Sequence, residues 1–183
     1  RDRGYLKFSI ESSQISLSRD KKSIFITFNI NEGQTYIIND VNLIGEIPFE
    51  EEVYIEIIES LKNETYSQAK ITSIEEFFVN VLGNRGYAFA EVTGNTDVID
   101  DSNEVNLTFS VIPGNKTYTR KILFTGNYVT QDEVLRREMR QFEGAWSSNN
   151  SIEAGKVRLE RLGFFKEVNV ETVPVIGLSL IHI

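Results

Sequence analysis

The sequence has no cysteine and only one histidine, His182, among its 183 residues. Without cysteine there are no disulfides, no thiolate nucleophiles and no cysteine-ligated zinc. A histidine is also the usual base in Ser-His and Cys-His catalysis, and His182 lies in the last six residues, which we expect to be foreign to the natural protein. No phosphate-binding loop or metal-ligand spacing surrounds the acidic residues. We therefore expect a protein that is not an enzyme, with no metal site and no cofactor.

Basic residues are outnumbered: 19 Lys and Arg face 27 Asp and Glu, which gives a net charge of -8. A nucleic-acid-binding surface needs clustered Lys and Arg to displace counterions, so DNA and RNA are not expected partners. No run of about 18 apolar residues predicts a membrane-spanning helix, and no export signal is recognisable in the segment. Hydrophobic residues nevertheless make up 40% of the chain, enough to build globular cores.

The chain contains an internal repeat. Gly4-Tyr5, Gly86-Tyr87 and Gly163-Phe164 each open a stretch of alternating apolar and polar residues, spaced 82 and then 77 residues apart. A fixed period is typical of tandem arrays. Glycine permits the positive φ with which a helix often ends, so we interpret Gly4, Gly86 and Gly163 as structural turn marks without chemistry of their own.

Periodicity within one repeat predicts the element order β-α-α-β-β. Apolar residues fall at helical spacing in two stretches and alternate with polar residues in the strands around them. In the middle repeat the predicted elements are the strand 36–44, the helices 53–61 and 71–82, the strand 88–99, the hairpin turn 100–103 and the strand 105–111. In the next repeat they are the strand 117–124, the helices 131–139 and 152–162, and the start of a hairpin at 166–172.

This order predicts an α+β fold, in which each module is a three-stranded mixed sheet covered on one face by two antiparallel helices. The third strand has the longest apolar alternation and is expected in the centre, which leaves the second strand at an edge. We predict that residues 1–33 are the C-terminal hairpin of a preceding module, that 34–114 form a complete module and that 115–177 form a truncated one.

The last six residues, 178–183, have the sequence Leu-Ser-Leu-Ile-His-Ile. One reading frame of a common sequencing-library adapter encodes the same six residues. We therefore expect them to be foreign to the natural protein and base no function on them. The alternative is a genuine short apolar strand.

The edge strand of the middle module, 88–98, is the candidate functional surface. An unpaired edge offers backbone N–H and C=O groups to which an extended segment can add as a further strand. The alternative is that its polar residues only protect the edge against aggregation. The candidate partner-binding or client-binding residues are Glu91, Val92, Thr93, Gly94, Asn95, Thr96, Asp97 and Val98.

Two features of the following module have a functional and a structural interpretation. Arg136, Arg137 and Arg140 lie on one predicted helix and suggest an anion site, although a solvated helix face with local ion pairs is the favoured interpretation. Trp146 suggests an interface anchor, although packing between helices is favoured.

The repeat length, the β-α-α-β-β order and the Gly-Tyr mark resemble the polypeptide-transport-associated family, called POTRA. The runs 4–10, 135–146 and 161–165 are similar to the form of this family that precedes the membrane barrel of outer-membrane protein assembly (BAM-type) proteins. The likeness covers about residues 1–173. It makes 1–33 the end of a second POTRA domain, 34–114 a third and 115 onward most of a fourth. Residues 49–64 depart from the family because they lack an expected Pro-Gly turn.

The resemblance implies the periplasmic portion of a Gram-negative outer-membrane protein. It also implies partners: accessory lipoproteins of the BAM complex (BamB-like) and unfolded outer-membrane protein precursors, with membrane contact only through a barrel outside this segment. Two alternatives stay open. One is the POTRA array of a TamA-like or two-partner-secretion transporter, and the other is a passive periplasmic spacer.

Overall fold

The computed structural model describes residues 2–99, 101–175 and 178–183. The chain divides into two compact units. Unit 1 comprises residues 1–44, 49–75 and 93–110, and unit 2 comprises residues 45–48, 76–92 and 111–183. Asp100, in the predicted hairpin turn 100–103, lies outside the described residues, and within that turn Asn103 has a φ of +54°.

Unit 1 begins with an antiparallel hairpin made of β1 (Ser9–Leu17) and β2 (Ile24–Asn31), as the alternation in this region predicts. Ile15 faces Ile26 across the pair, and a register shift lies between Ile10 and Ser12. Side chains of both strands are exposed along their whole length.

The middle sheet has the strand order β3-β5-β4. Its strands are β3 (Ile37–Gly45), β4 (Glu91–Ile99) and β5 (Glu104–Ile112), and between β3 and β4 lie a 3-10 turn (Glu51–Val53), α1 (Ile55–Leu61) and α2 (Gln68–Asn84). The prediction that the third strand of the module takes the centre is confirmed. Alternate β5 side chains are buried because a central strand covered on one face places every second residue in the core; they are Val105, Leu107, Phe109 and Val111.

The third sheet lies in unit 2 and has the order β6-β8-β7. Its elements are β6 (Tyr118–Lys121), α3 (Asp132–Arg136), α4 (Asn149–Arg161), β7 (Val173–Pro174) and β8 (Leu180–His182). β6 pairs with β8 in parallel and β7 pairs with β8 antiparallel, so the sheet is mixed as predicted. A core of Ile122, Leu135, Met139 and Leu159 packs in this unit.

Several predicted bounds in this third sheet were wrong. The strand predicted at 117–124 ends at Lys121, which pairs with His182 at the end of β8. The next N–H, that of Ile122, donates to a Glu143 carboxylate oxygen at 2.9 Å. The helix predicted at 131–139 ends at Arg136. The N–H of Arg137 still bonds four residues back, to Glu133, but those of Glu138 and Met139 bond three residues back, as in a 3-10 turn. The strand predicted at 166–172 is irregular chain, and the strand follows at Val173–Pro174.

The final residues take part in this sheet. Leu180–His182 forms its central strand, and the Ile181 side chain is fully buried. This conformation corresponds to the short apolar strand that the sequence allowed for residues 178–183. It does not bear on the match to an adapter sequence, so we base no function on these residues.

Candidate functional site

β4 is the terminal strand in the order β3-β5-β4, as predicted for the edge. Its described bounds differ from the expectation, because 88–90 form a turn in which Ala90 is buried and the strand begins at Glu91. Exposed and half-buried side chains alternate along it. The exposed set is Glu91, Thr93, Asn95 and Asp97, and the half-buried set is Val92, Gly94, Thr96 and Val98.

The direction of the backbone groups follows from Gly94. Its N–H donates to the Oε1 atom of Glu75, a half-buried residue of α2, at 2.5 Å. An N–H that reaches a side chain of the covering helix points away from the neighbouring strand β5. Because N–H groups point alternately to the two sides of a strand, Val92, Thr96 and Val98 also present their N–H groups at the open edge.

The contact between Gly94 and Glu75 is possible because Gly94 has no side chain. A Cβ atom at Gly94 would lie 2.8 Å from Cγ2 of Ile71, 3.0 Å from Oε1 of Glu75 and 3.1 Å from Cε1 of Phe109. Glycine therefore allows α2 to approach β4 closely, which is a common reason for glycine inside a strand.

The three turn marks share one conformation. Gly4, Gly86 and Gly163 have φ values of +92°, +99° and +68°, in the region that favours glycine. The carbonyl of Gly4 accepts the N–H of Tyr36 at 3.0 Å, and in unit 2 the carbonyl of Gly86 accepts the N–H of Thr117 at 2.8 Å. Gly4 and Gly86 thus join their turns to the start of the next repeat.

Side chains just before two of the marks cap helices, a role that was not predicted from the sequence. In unit 1, Oδ1 of Asp2 accepts the N–H of Ala69 at the start of α2 at 2.9 Å. In unit 2, Oδ1 of Asn84 accepts the N–H of Asn150 at the start of α4 at 2.7 Å. The signal was present in the sequence: Asp2-Arg3-Gly4-Tyr5 and Asn84-Arg85-Gly86-Tyr87 carry a capping residue at the same place.

The repeat also explains the missing Pro-Gly turn. Asn63, with a φ of +63°, donates its N–H to Ile38, and Gly144, with a φ of +79°, donates its N–H to Thr119. Asn63 therefore stands where the other repeat has glycine, and asparagine is among the residues that adopt this conformation most readily. The turn is kept although its sequence differs.

Of the three arginines predicted on one helix, Arg136 is the last residue of α3, whereas Arg137 and Arg140 lie beyond its end. Arg136 donates to Asp132, Glu143 and the carbonyl of Ile122. The hydrogen bond to Glu143 raises the pKa of Arg136, and the N–H of Ile122, followed by Arg136, lowers the pKa of Glu143. These contacts favour a helix face with local ion pairs over an anion site.

The prediction that Trp146 packs between helices was wrong. Its side chain is 45% exposed and stacks on Tyr118, with ring centroids 3.7 Å apart. The Lys116 ammonium lies 5.3 Å from the centre of the Trp146 ring. Trp146 follows Gly144 with its positive φ, and this turn carries the indole out along β6.

Neither a metal site nor a membrane span is found in the part of the chain that the structure describes. Within residues 2–99, 101–175 and 178–183, no group of three or more His, Cys, Asp or Glu side chains is placed to hold a metal ion. No helix in these ranges is long and apolar enough to cross a bilayer.

Comparison with known proteins finds a match to the family model described as the surface antigen variable number repeat, POTRA, over residues 36–114 and 117–180. The outer membrane protein assembly factor BamA of Buchnera aphidicola is 29% identical over 91% of this chain and 27% of that protein. BamA of Neisseria meningitidis is 30% identical over 95% of this chain and 22% of that protein. The chain thus spans about a quarter of the length of these relatives.

Two solved structures are similar along most of the chain. The Haemophilus influenzae BamA POTRA3-5 structure matches with a TM-score of 0.91 and 31% identity, over 99% of this chain and 72% of that one. BamA from Haemophilus ducreyi lacking POTRA domains 1-3 matches with a TM-score of 0.70 and 34% identity, over 80% of this chain and 28% of that one.

These structures correct the numbering of the modules that the sequence suggested. A structure without the first three POTRA domains still covers 80% of the chain, and one that starts at the third covers 99%. The hairpin before the middle module therefore corresponds to the third POTRA domain of those proteins, not the second. The middle module corresponds to the fourth and the last to the fifth.

Proposed function

We propose, because this chain belongs to the POTRA family, that it docks extended polypeptide segments by strand addition at β4. As a POTRA region like that of BamA, the chain is a non-enzymatic scaffold. The proposal places it in the periplasm of a Gram-negative cell, as part of an outer-membrane protein assembly factor. The docked segments would belong to an accessory lipoprotein or to an unfolded barrel precursor.

The observation that carries the proposal is the open edge itself. β4 ends the sheet order β3-β5-β4, and among the described residues no further strand pairs with its outer side, to which the backbone N–H groups of Val92, Thr96 and Val98 point. Backbone pairing makes few demands on side-chain sequence, which suits a scaffold that handles many clients. The half-buried side chains on the same strand keep the edge extended because they pack toward α2.

Proline at Thr96 tests the proposal. Proline removes the N–H of Thr96, which points to the open edge, and leaves the hydrogen bonds between β4 and β5 in place. The matched control is Thr96→Ala, which removes the side chain and keeps the N–H. The probe is a nine-residue peptide of alternating valine and threonine with a polyethylene glycol tail, and a photo-crosslinking residue replaces Asn95, whose side chain is exposed.

We expect Thr96→Pro to reduce crosslinking about tenfold, which is the effect of losing one or two backbone hydrogen bonds. Thr96→Ala should crosslink like the parent. Circular dichroism should be the same for all three proteins. Undiminished crosslinking in the folded Thr96→Pro variant would reject strand addition and favour the passive spacer.

A further inference from the structure

We infer that Glu75 controls the β4 edge, and that the segment β4 accepts best carries a lysine or arginine directly across from Gly94. This inference rests on the proposed strand addition and adds to it the chemistry of the partner. Its basis is the contact between the Glu75 carboxylate and the Gly94 N–H at 2.5 Å.

The contact occupies a central pairing position of the edge. Gly94 lies between Val92 and Thr96, whose N–H groups point the same way along the strand. An incoming strand needs the Gly94 N–H for a carbonyl of its own, so pairing along the whole edge requires the carboxylate to leave. While the carboxylate stays, the available pairing positions are limited to the two ends of β4.

Breaking the hydrogen bond between the Glu75 carboxylate and the Gly94 N–H is unfavourable unless the carboxylate gains another partner. A hydrogen bond to a charged acceptor is stronger than one between neutral groups, and Glu75 is half-buried against β4. The incoming strand therefore competes for Gly94 at a disadvantage unless it offers the carboxylate another partner. This competition protects the edge against strands of arbitrary sequence, in the way that charged groups protect other sheet edges.

The geometry indicates which partner residue removes the disadvantage. In an antiparallel pair, the side chain directly across from Gly94 lies on the same face as Glu75, because facing residues share a face. Gly94 has no side chain to fill that space, and Oε1 of Glu75 lies 3.0 Å from the place where its Cβ would be. An ammonium or guanidinium group across from Gly94 would pair with the carboxylate and free the N–H.

The test is a lysine scan along the alternating valine–threonine peptide, with lysine placed in turn at each position. Binding to the 183-residue chain is measured by fluorescence anisotropy with the parent, Glu75→Gln and Glu75→Ala. Glutamine keeps the shape and an acceptor oxygen but not the charge. The control for loss of charge is Glu76→Ala, because Glu76 is the exposed neighbour on the same helix.

For the parent we expect lysine at one position to strengthen binding about three- to fivefold, the range of a cross-strand ion pair. Both Glu75 variants should lose this preference. Glu75→Ala should also bind the lysine-free peptide about three- to tenfold more tightly than the parent, since the competing acceptor is gone. Glu76→Ala should behave like the parent in both respects.

Two failures are distinguishable. If the peptides bind in a way that Thr96→Pro abolishes, but Glu75→Ala changes neither the affinity nor the lysine preference, strand addition stands and the role of Glu75 is overturned. If no peptide binds to the parent or to either Glu75 variant, the proposed function and this inference are overturned together.

Discussion

Replacing Asn84 by alanine should loosen the start of α4 and destabilise unit 2. Oδ1 of Asn84 accepts the N–H of Asn150 at 2.7 Å and the hydroxyl of Ser148 at 3.3 Å. Asn150 is exposed, so water can bond its N–H after the substitution. The free-energy cost is therefore that of a lost helix cap, not that of a buried N–H left without a partner. We expect a cost of about 1 kcal/mol, which lowers the melting temperature by about 2–4 °C in a chain of this size.

The single tryptophan makes this measurement specific. Trp146 lies in unit 2, so its fluorescence during urea unfolding reports on the unit that contains α4. Asn80→Ala, an exposed site on the same helix α2 as Asn84, is the matched control. Asn84→Asp keeps the acceptor, as Asp2 does in unit 1. Its negative charge is favourable at the start of α4 and unfavourable at the end of α2, where Asn84 is the last residue, so it should be more stable than Asn84→Ala. Equal stability of Asn84→Ala and Asn80→Ala would refute the capping role.

Three further predictions concern stability. Phe109→Ala should cost about 3–5 kcal/mol in urea unfolding because Phe109 is fully buried, whereas Phe77→Ala, at a ring 41% exposed, should cost far less. Asn63→Ala should lower stability by about 1 kcal/mol in thermal melts and Asn63→Gly should not, because the φ is +63°. The N–H of Ile122 and then Arg136 lower the pKa of Glu143 below its ordinary 4.5. The stability that the ionised Glu143 contributes is therefore present above 4.5 and is lost as the pH falls through the lowered pKa. In acid unfolding titrations, Glu143→Gln should therefore lose less stability than the parent as the pH falls.

The middle module was predictable because each of its elements carries its own signal. β5 alternates over its whole length, and two helical stretches precede it with an apolar face each. Such patterns decide which face is buried, and burial decides the place of a strand in the sheet. The edge position of β4 followed from the centre position of β5.

The third sheet was harder to predict because its short elements depend on contacts that are distant in sequence. β6 ends where a Glu143 oxygen takes the N–H of Ile122, some twenty residues away in the chain. α3 is five residues long, too short for periodicity to set its end. The exposure of Trp146 follows from the turn at Gly144, whereas composition favours burial of a tryptophan.

The side-chain contact at Glu75 was beyond the sequence for a different reason. In the sequence, Glu75 is an ordinary acidic residue of a predicted helix. A glycine such as Gly94 inside a strand indicates only that another part of the chain approaches the backbone closely. The two residues form a hydrogen bond because α2 packs on β4 and places the Glu75 carboxylate 2.5 Å from the Gly94 N–H. Sequence therefore identified the strand, and the packing identified what competes for it.

The capping residues allow an expectation about the third turn mark. Asp2 and Asn84 stand two residues before Gly4 and Gly86, and the same place before Gly163 is held by Arg161. A guanidinium group has only donors, so Arg161 is unable to accept a helix N–H as Asp2 and Asn84 do. The third mark therefore keeps the positive φ of its glycine, +68°, without the side-chain cap that accompanies the first two marks.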